Sequence, residues 1–251
     1  MTATPAWPPS SLPRLYVEGP LEKGRQLVLD GQAANYLGAV LRLGAGAKVK
    51  LFDDRTGEWL AEIREAGKRR LSLDVVERLR EREAVPDLWL LFAPIKRGRI
   101  DWIVEKATEL GVARLVPVLT QRTIVERTNM DRLRAHMIEA AEQCERTALP
   151  ELLPPERLDR LLAHWPADRT LLFADEGGGD PLADAAAPGP AAILIGPEGG
   201  FTDAERSAIR GVAQARPVSL GPRILRADTA AVAAVGIWMA RAGDWDRPAF
   251  R

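Results

Sequence analysis

The segment Ile193-Leu194-Ile195-Gly196-Pro197-Glu198-Gly199-Gly200-Phe201-Thr202-Asp203-Ala204-Glu205 joins an apolar run to the start of a helix through a pair of glycines. The run Ala192 to Ile195 is apolar at every position, as a strand covered on both faces of a parallel sheet must be. Thr202 with Glu205 three residues later is a capping box, in which the hydroxyl and the carboxylate each satisfy a backbone N–H at the helix start. Gly199 and Gly200 permit positive φ or a close approach of the backbone to a ligand, and Pro197 stiffens the turn. A plain strand-to-helix turn would use the same residues, so the motif alone leaves both readings open. Its place in the fold is more definite: a buried strand feeding a helix belongs to an α/β sheet, and ligands of such sheets gather at the carboxyl ends of strands.

The same alternation extends outward on both sides. Leu88 to Ala93 (LWLLFA), Val112 to Leu119, Thr170 to Ala174 and Val218 to Leu220 read as strands. Helices are predicted at Arg99 to Leu110, Asp131 to Thr147, Asp203 to Ala215 and Asp228 to Arg241. Upstream the character differs. Leu15-Tyr16-Val17, Val49 to Phe52, Trp59 to Ile63 and Leu71 to Val76 are short β-like runs separated by turns such as Asp53-Asp54-Arg55-Thr56-Gly57. Their single helix is predicted at Gln32 to Leu41. The charged run Arg78 to Glu83 before Pro86 marks the change. The reading is therefore a flexible tail over residues 1–12, a small β-barrel domain over 13–83 and an α/β domain over 84–251.

Composition narrows the chemistry. With 35 Lys plus Arg against 35 Asp plus Glu, any nucleic-acid surface has to be a local patch. One cysteine, Cys144, and two histidines, His136 and His164, give no zinc-spaced cluster, so no metal is expected. Cys144 falls inside a predicted helix, which assigns it to packing and not to nucleophilic attack. Neither G-x-G-x-x-G nor the phosphate-loop pattern is present, and the acids of Asp175-Glu176-Gly177-Gly178-Gly179-Asp180 would repel a phosphate, so that stretch reads as a flexible turn. The N-terminal segment lacks the basic start and apolar run of a signal peptide, and Ala230 to Ala240 is too short to span a bilayer. A cytoplasmic protein without membrane contact is expected.

A second loop, Leu220-Gly221-Pro222-Arg223-Ile224-Leu225-Arg226-Ala227-Asp228-Thr229-Ala230, couples glycine and proline to two arginines before an Ala-rich helix. Together, ILIGPEGGFTDAE and LGPRILRADTA resemble the signature loops of the RsmE family of 16S ribosomal RNA uridine N3 methyltransferases, in the SPOUT superfamily. Arg14-Leu15-Tyr16, Ala39 to Leu43, Lys96 to Gly111 and Ala140 to Arg146 resemble further landmarks of that family in the same order.

The resemblance implies an N-terminal PUA-like RNA-binding barrel and a C-terminal parallel-sheet domain threaded into a trefoil knot. It also implies a homodimer, S-adenosylmethionine as cofactor, and 16S rRNA of the small ribosomal subunit as partner, modified at N3 of the uridine at position 1498. Carried over, the cofactor residues are Phe173, Ala174, Ile195, Gly196, Pro197, Glu198, Gly199, Gly200, Leu220, Gly221, Ile224, Leu225 and Arg226. Arg226 is the catalytic candidate, as a cation beside the developing uracil anion, with a salt bridge or a contact to the helix-capping region as its alternative. Arg14, Arg42, Lys96, Arg97, Arg122 and Arg146 are the RNA-binding candidates. No general base is assigned. Where the family has Thr-Glu after the arginine, this chain has Ala227-Asp228, and Asp228 reads as the N-cap of the last helix. That helix suits either a dimer contact or burial under its own sheet. A different methylation target on the same fold, or a non-catalytic RNA-binding assembly factor, are the alternatives.

Overall fold

The computed structural model describes residues 12–67, 69–125 and 127–247. Most of the expected N-terminal tail, residues 1–11, lies outside them. The chain forms two units, one made of the residues up to Ala84 together with Glu142–Ala148, the other of Val85–Ala141 and Leu149–Arg251.

In the first unit, β1 (Arg14–Tyr16), β2 (Gln26–Asp30), β3 (Lys48–Asp53), β4 (Gly57–Ala66) and β5 (Arg70–Arg80) form a curled sheet in the order β1-β3-β4-β5-β2. Pairing is antiparallel except between β1 and β3. Among the described residues no pairing joins β1 to β2, so the sheet is an open half-barrel and not a closed one. Inward positions alternate as the pleat requires, with Leu71, Leu73 and Val75 of β5 buried against Val49, Leu51 and Ile63. The β3–β4 turn is held by the buried Asp53, whose carboxylate accepts from the N–H groups of Leu21, Arg55 and Thr56. Gly57 closes the turn at φ +100°, with backbone of Arg80 to Arg82 where a side chain would stand. The predicted helix divides into α1 (Gly31–Asn35) and a π-helical turn, Tyr36–Val40.

The first unit also encloses a buried ion network. Arg14 donates to Glu58 at 2.5 Å, lies 3.6 Å from the centroid of the Phe52 ring and donates to the carbonyl of Arg146. Burial alone would raise the Glu58 pKa, but hydrogen bonds from Arg14 and Arg80 outweigh it and hold the carboxylate below its ordinary value. Glu83 binds the incoming segment: it accepts from Arg146 Nε at 3.2 Å and from the backbone N–H groups of Thr147 and Ala148 at 3.0 Å.

The second unit runs β6 (Leu88–Phe92), α2 (Arg99–Glu109), β7 (Arg114–Leu119), α3 (Met130–Gln143), β8 (Glu151–Leu152), β9 (Glu156–Arg157), α4 (Leu158–Ala163), β10 (Thr170–Ala174), β11 (Asp180–Pro181), α5 (Leu182–Ala185), β12 (Ala191–Ile195), α6 (Asp203–Arg210), β13 (Ala215–Ser219) and α7 (Ala227–Ala242). The sheet order is β11-β13-β10-β12-β6-β7-β8, with β9 also on β7, and every pairing is parallel. β12 lies between β6 and β10, and all five of its residues are buried.

Two helices stop earlier than their patterns predict. α6 ends at Gly211 and α3 at Gln143, so Cys144 sits exposed in a turn and is not a packed helical residue. In α7 the buried positions Ala227, Ala230, Ala231, Ala234, Val235, Trp238 and Met239 recur at helical spacing, and the helix packs on α2, α5 and β12 of its own unit. No helix of the described residues is long and apolar enough to cross a membrane.

Candidate functional site at the carboxyl edge of the parallel sheet

β10, β12 and β13 are neighbours in parallel, with Phe173 opposite Leu194 on one side and Pro217 on the other. Their carboxyl ends therefore release three loops along one edge of the sheet, where ligands of open parallel sheets bind.

The first loop follows Ala174. Phe173 is fully buried and Ala174 half-buried. Next comes Asp175, whose carboxylate has no exposed surface and receives Arg210 at 2.7 Å, Arg206 at 3.1 Å and the N–H of Gly177 at 2.8 Å. Burial opposes its charge, but the bonds from Arg210 and the Gly177 N–H and the nearby Arg206 prevail, leaving its pKa below the ordinary value. The expected turn follows at Glu176 and Gly177, and residues 176–180 are exposed, so Asp175 is the one buried residue of this stretch. Gly179 passes so close to the Pro217 carbonyl that a Cβ would overlap it.

The second loop is Gly196 to Gly200. Gly196 faces the ring of buried Phe201, with only 3.1 Å between the ring and the place of a Cβ. Gly200 is buried at φ +66°, and both carboxylate oxygens of Glu176 lie 3.2 Å from where its side chain would begin. The capping box is formed as predicted: Thr202 Oγ1 accepts from the N–H of Glu205, and Glu205 Oε2 accepts from the N–H of Thr202. Buried Glu205 does more, since its Oε1 accepts from the N–H of Gln121 at 2.7 Å and ties α6 to the loop after β7. On the same loop Arg122 donates to the Gly199 carbonyl at 2.5 Å.

The third loop, Leu220 to Arg226, stands open. Gly221 turns it at φ +105°, Leu220 and Leu225 are half-buried, and Ile224 is 94% exposed. Arg226 is exposed and, among the described residues, has no ion pair or side-chain hydrogen bond, so the salt-bridge alternative finds no partner. Its backbone is the N-cap of α7. Asp228 is consequently not the cap; it lies in the first turn and pairs with Arg99 at 3.6 Å.

The basic candidates separate by burial. Arg14 and Arg146 have side chains only 6% exposed, paired with Glu58 and Glu83. Arg42, Lys96, Arg97 and Arg122 are exposed. Arg42 adopts φ +56°, unusual for a residue with a side chain. Asp175, Gln121 and Glu205, which make bonds at these loops, are not among the sequence candidates. For Glu205 the capping pattern was a signal, but its bond to Gln121 spans 84 positions and leaves no local trace. Among the described residues no cluster of His, Cys, Asp and Glu could hold a metal ion.

Comparison with known proteins gives a consistent result. Residues 81–239 match the RNA methyltransferase domain family, and residues 29–76 match the RNA methyltransferase PUA domain. Ribosomal RNA small subunit methyltransferase E of Rickettsia conorii is 30% identical, covering 88% of this chain and 93% of its own. A Synechocystis protein of the same name is 32% identical over 80% of this chain and 68% of its own. Among solved structures, a putative methyltransferase from Legionella pneumophila with bound cofactor SAM superimposes with a TM-score of 0.84 at 31% identity, covering 93% and 99% of the two chains. Ribosomal RNA small subunit methyltransferase E from Neisseria gonorrhoeae, bound to S-adenosyl methionine, gives 0.85 at 28% identity with the same coverage.

Proposed function

The chain belongs to the RNA methyltransferase family whose named members are ribosomal RNA small subunit methyltransferase E, and from that premise we propose that it methylates N3 of one uridine in 16S rRNA, position 1498, using S-adenosylmethionine. The observation that carries this reading is the convergence of the three loops beside the unpaired Arg226.

The residues fit that cofactor. Gly196 and Gly200 carry no side chains, and a Cβ at either would crowd Phe201 or Glu176, so main-chain groups line the second loop. Leu220, Ile224 and Leu225 offer apolar surface to a flat base, and Glu176 and Glu198 place carboxylates where a positively charged ligand is favoured. When bound, S-adenosylmethionine supplies an electrophilic methyl group on a sulfonium. The protein contributes position and field: the loops fix the alignment of donor and base, and Arg226 stabilises the charge of a uracil that has lost its N3 proton. N3 is on the pairing edge, so the target base is unpaired or drawn out when it enters the site. Arg42, Lys96 and Arg97, all exposed, supply phosphate contacts whose affinity falls with salt.

Two further features go with this reading. The late entry of β12 between β6 and β10 supports a knotted C-terminal segment, and the exposed Ile224 together with the half-buried Val232, Ala233 and Ile237 of α7 supports a homodimer. A cytoplasmic location follows from the substrate.

The test is incubation of the purified protein and labelled S-adenosylmethionine with small subunits from cells lacking it, followed by nucleoside analysis. The expected product is 3-methyluridine at one site, and Arg226→Ala should lower kcat by about a hundredfold with a smaller loss of cofactor affinity. A labelled 2′-O-methyl nucleoside or another base would replace the target assignment. RNA binding with no cofactor binding would mark a non-catalytic assembly factor.

A further inference from the structure

The turn after β7 holds the glycine loop at Gly199 and the first turn of α6 at Glu205, and we propose that Arg122 and Glu205 are positioning residues which hold the glycine loop in its cofactor-accepting shape. The proposal rests on the reading of the loop given above. It assigns Arg122 to the loop and not to RNA.

The two ties flank Gly200 and Phe201. Upstream, the Arg122 guanidinium donates to the Gly199 carbonyl at 2.5 Å, and its Cδ, Cβ and Cγ run 3.4 to 4.0 Å from the place a Gly199 side chain would take. The aliphatic stem of the arginine therefore runs along the loop, while the residue stays exposed to solvent. Downstream, Glu205 Oε1 accepts from the Gln121 N–H at 2.7 Å, while Oε2 accepts from the N–H and the hydroxyl of Thr202 at 2.9 and 3.0 Å. The anchor is itself stiff: Thr120 and Thr123 bond through their hydroxyls at 2.9 Å, and the Thr120 N–H donates to Thr123 Oγ1 at 2.9 Å.

A cleft of about 360 Å³ opens beside the anchor, lined by Thr120, Gln121, Leu158, Leu162, Glu205 and Ala208. Two adjacent glycines carry more backbone freedom than any other pair, so a loop containing them loses affinity unless something fixes it before the ligand arrives. A charged donor on the Gly199 carbonyl fixes the peptide plane between Gly199 and Gly200 and leaves the opposite face for the ligand.

Binding of S-adenosylmethionine by calorimetry and steady-state kinetics with small subunits test this in wild type, Arg122→Ala, Arg122→Lys and Glu205→Gln. The expected result is a rise of about tenfold in Kd and in KM for the cofactor in Arg122→Ala, with kcat at saturation near wild type. Arg122→Lys, which retains one donor, recovers part of the loss, and affinity for the small subunit and its salt dependence stay at wild-type values. Thermal unfolding of Arg122→Ala matches wild type, since the side chain is exposed. The clamp is overturned if Arg122→Ala binds cofactor normally but loses affinity for the subunit, which would make Arg122 an RNA contact. Wild type that binds no cofactor overturns the loop reading itself, and the clamp with it.

Discussion

At Gly200 the backbone stands at φ +66°, where side chains are strained, while the exposed Glu176 carboxylate 3.2 Å from the place of a Cβ can move aside, so the backbone is what demands glycine. Gly200→Ala should destabilise the protein by about 1–2 kcal/mol, read as a lower denaturant midpoint at unchanged slope. Such a constraint is legible in a sequence because the residue type itself carries it. Asp175 is the opposite case: its partners Arg206 and Arg210 lie 31 and 35 positions away, and its burial depends on the sheet having formed. Because its folded-state pKa is depressed, its contribution is present in full above the ordinary carboxylate value near pH 4 and is lost as pH falls through the folded value. Asp175→Asn should therefore flatten the acid limb of a stability-versus-pH curve below about pH 5 relative to wild type. An unchanged slope there would show that the carboxylate is not differentially charged on folding. Arg14 and Arg146 teach the same lesson with opposite outcome, since arginines that read as surface cations are enclosed by Glu58 and Glu83.

Elements with strong local grammar were readable from the chain. β12 is a run of five apolar residues between two parallel neighbours, and the start of α6 is written in Thr202 and Glu205. Replacing the cap tests how much of that start is local: Thr202→Ala removes the acceptor for the Glu205 N–H and one donor to Glu205 Oε2, and should cost about 1 kcal/mol in chemical denaturation. A cost well above 2 kcal/mol would mean that the bond from Gln121 to Glu205 is lost with the cap. The ends of elements were less readable. α6 yields to Gly211 although apolar residues continue beyond it, and α3 unwinds at Gln143, where the chain joins a different unit. β8, β9, β11 and α5 have two to four residues each, too few to show any period. The π-helical turn at Tyr36–Val40 is invisible for the same reason, because its departure from an α-helix is one residue per turn.

For the whole molecule, alternation of strands and helices predicts a parallel sheet, but strand order depends on which distant partners meet, and nothing in β12 specifies a place between β6 and β10. The division into units shows the same limit: a sequence boundary near residue 83 is visible as a charge run, whereas the return of Glu142–Ala148 to the first unit is not. That return depends on Glu83. Its carboxylate accepts from Arg146 Nε, Thr147 N and Ala148 N, and its own N–H donates to Thr147 Oγ1 at 2.8 Å. Removing the carboxylate takes the ion-pair partner from an arginine whose side chain is only 6% exposed. Loss of this partner, and of the acceptor for the buried N–H groups of Thr147 and Ala148, is costly, so Glu83→Ala should destabilise the first unit by roughly 3 kcal/mol. Native-state hydrogen exchange provides the check. The amides of Thr147 and Ala148 should lose protection, those of β12 should keep theirs, and Glu83→Gln, which retains one acceptor oxygen, should fall between. If the protection of β12 falls equally, the segment is not a latch of the first unit but part of one cooperative structure in which both units unfold together.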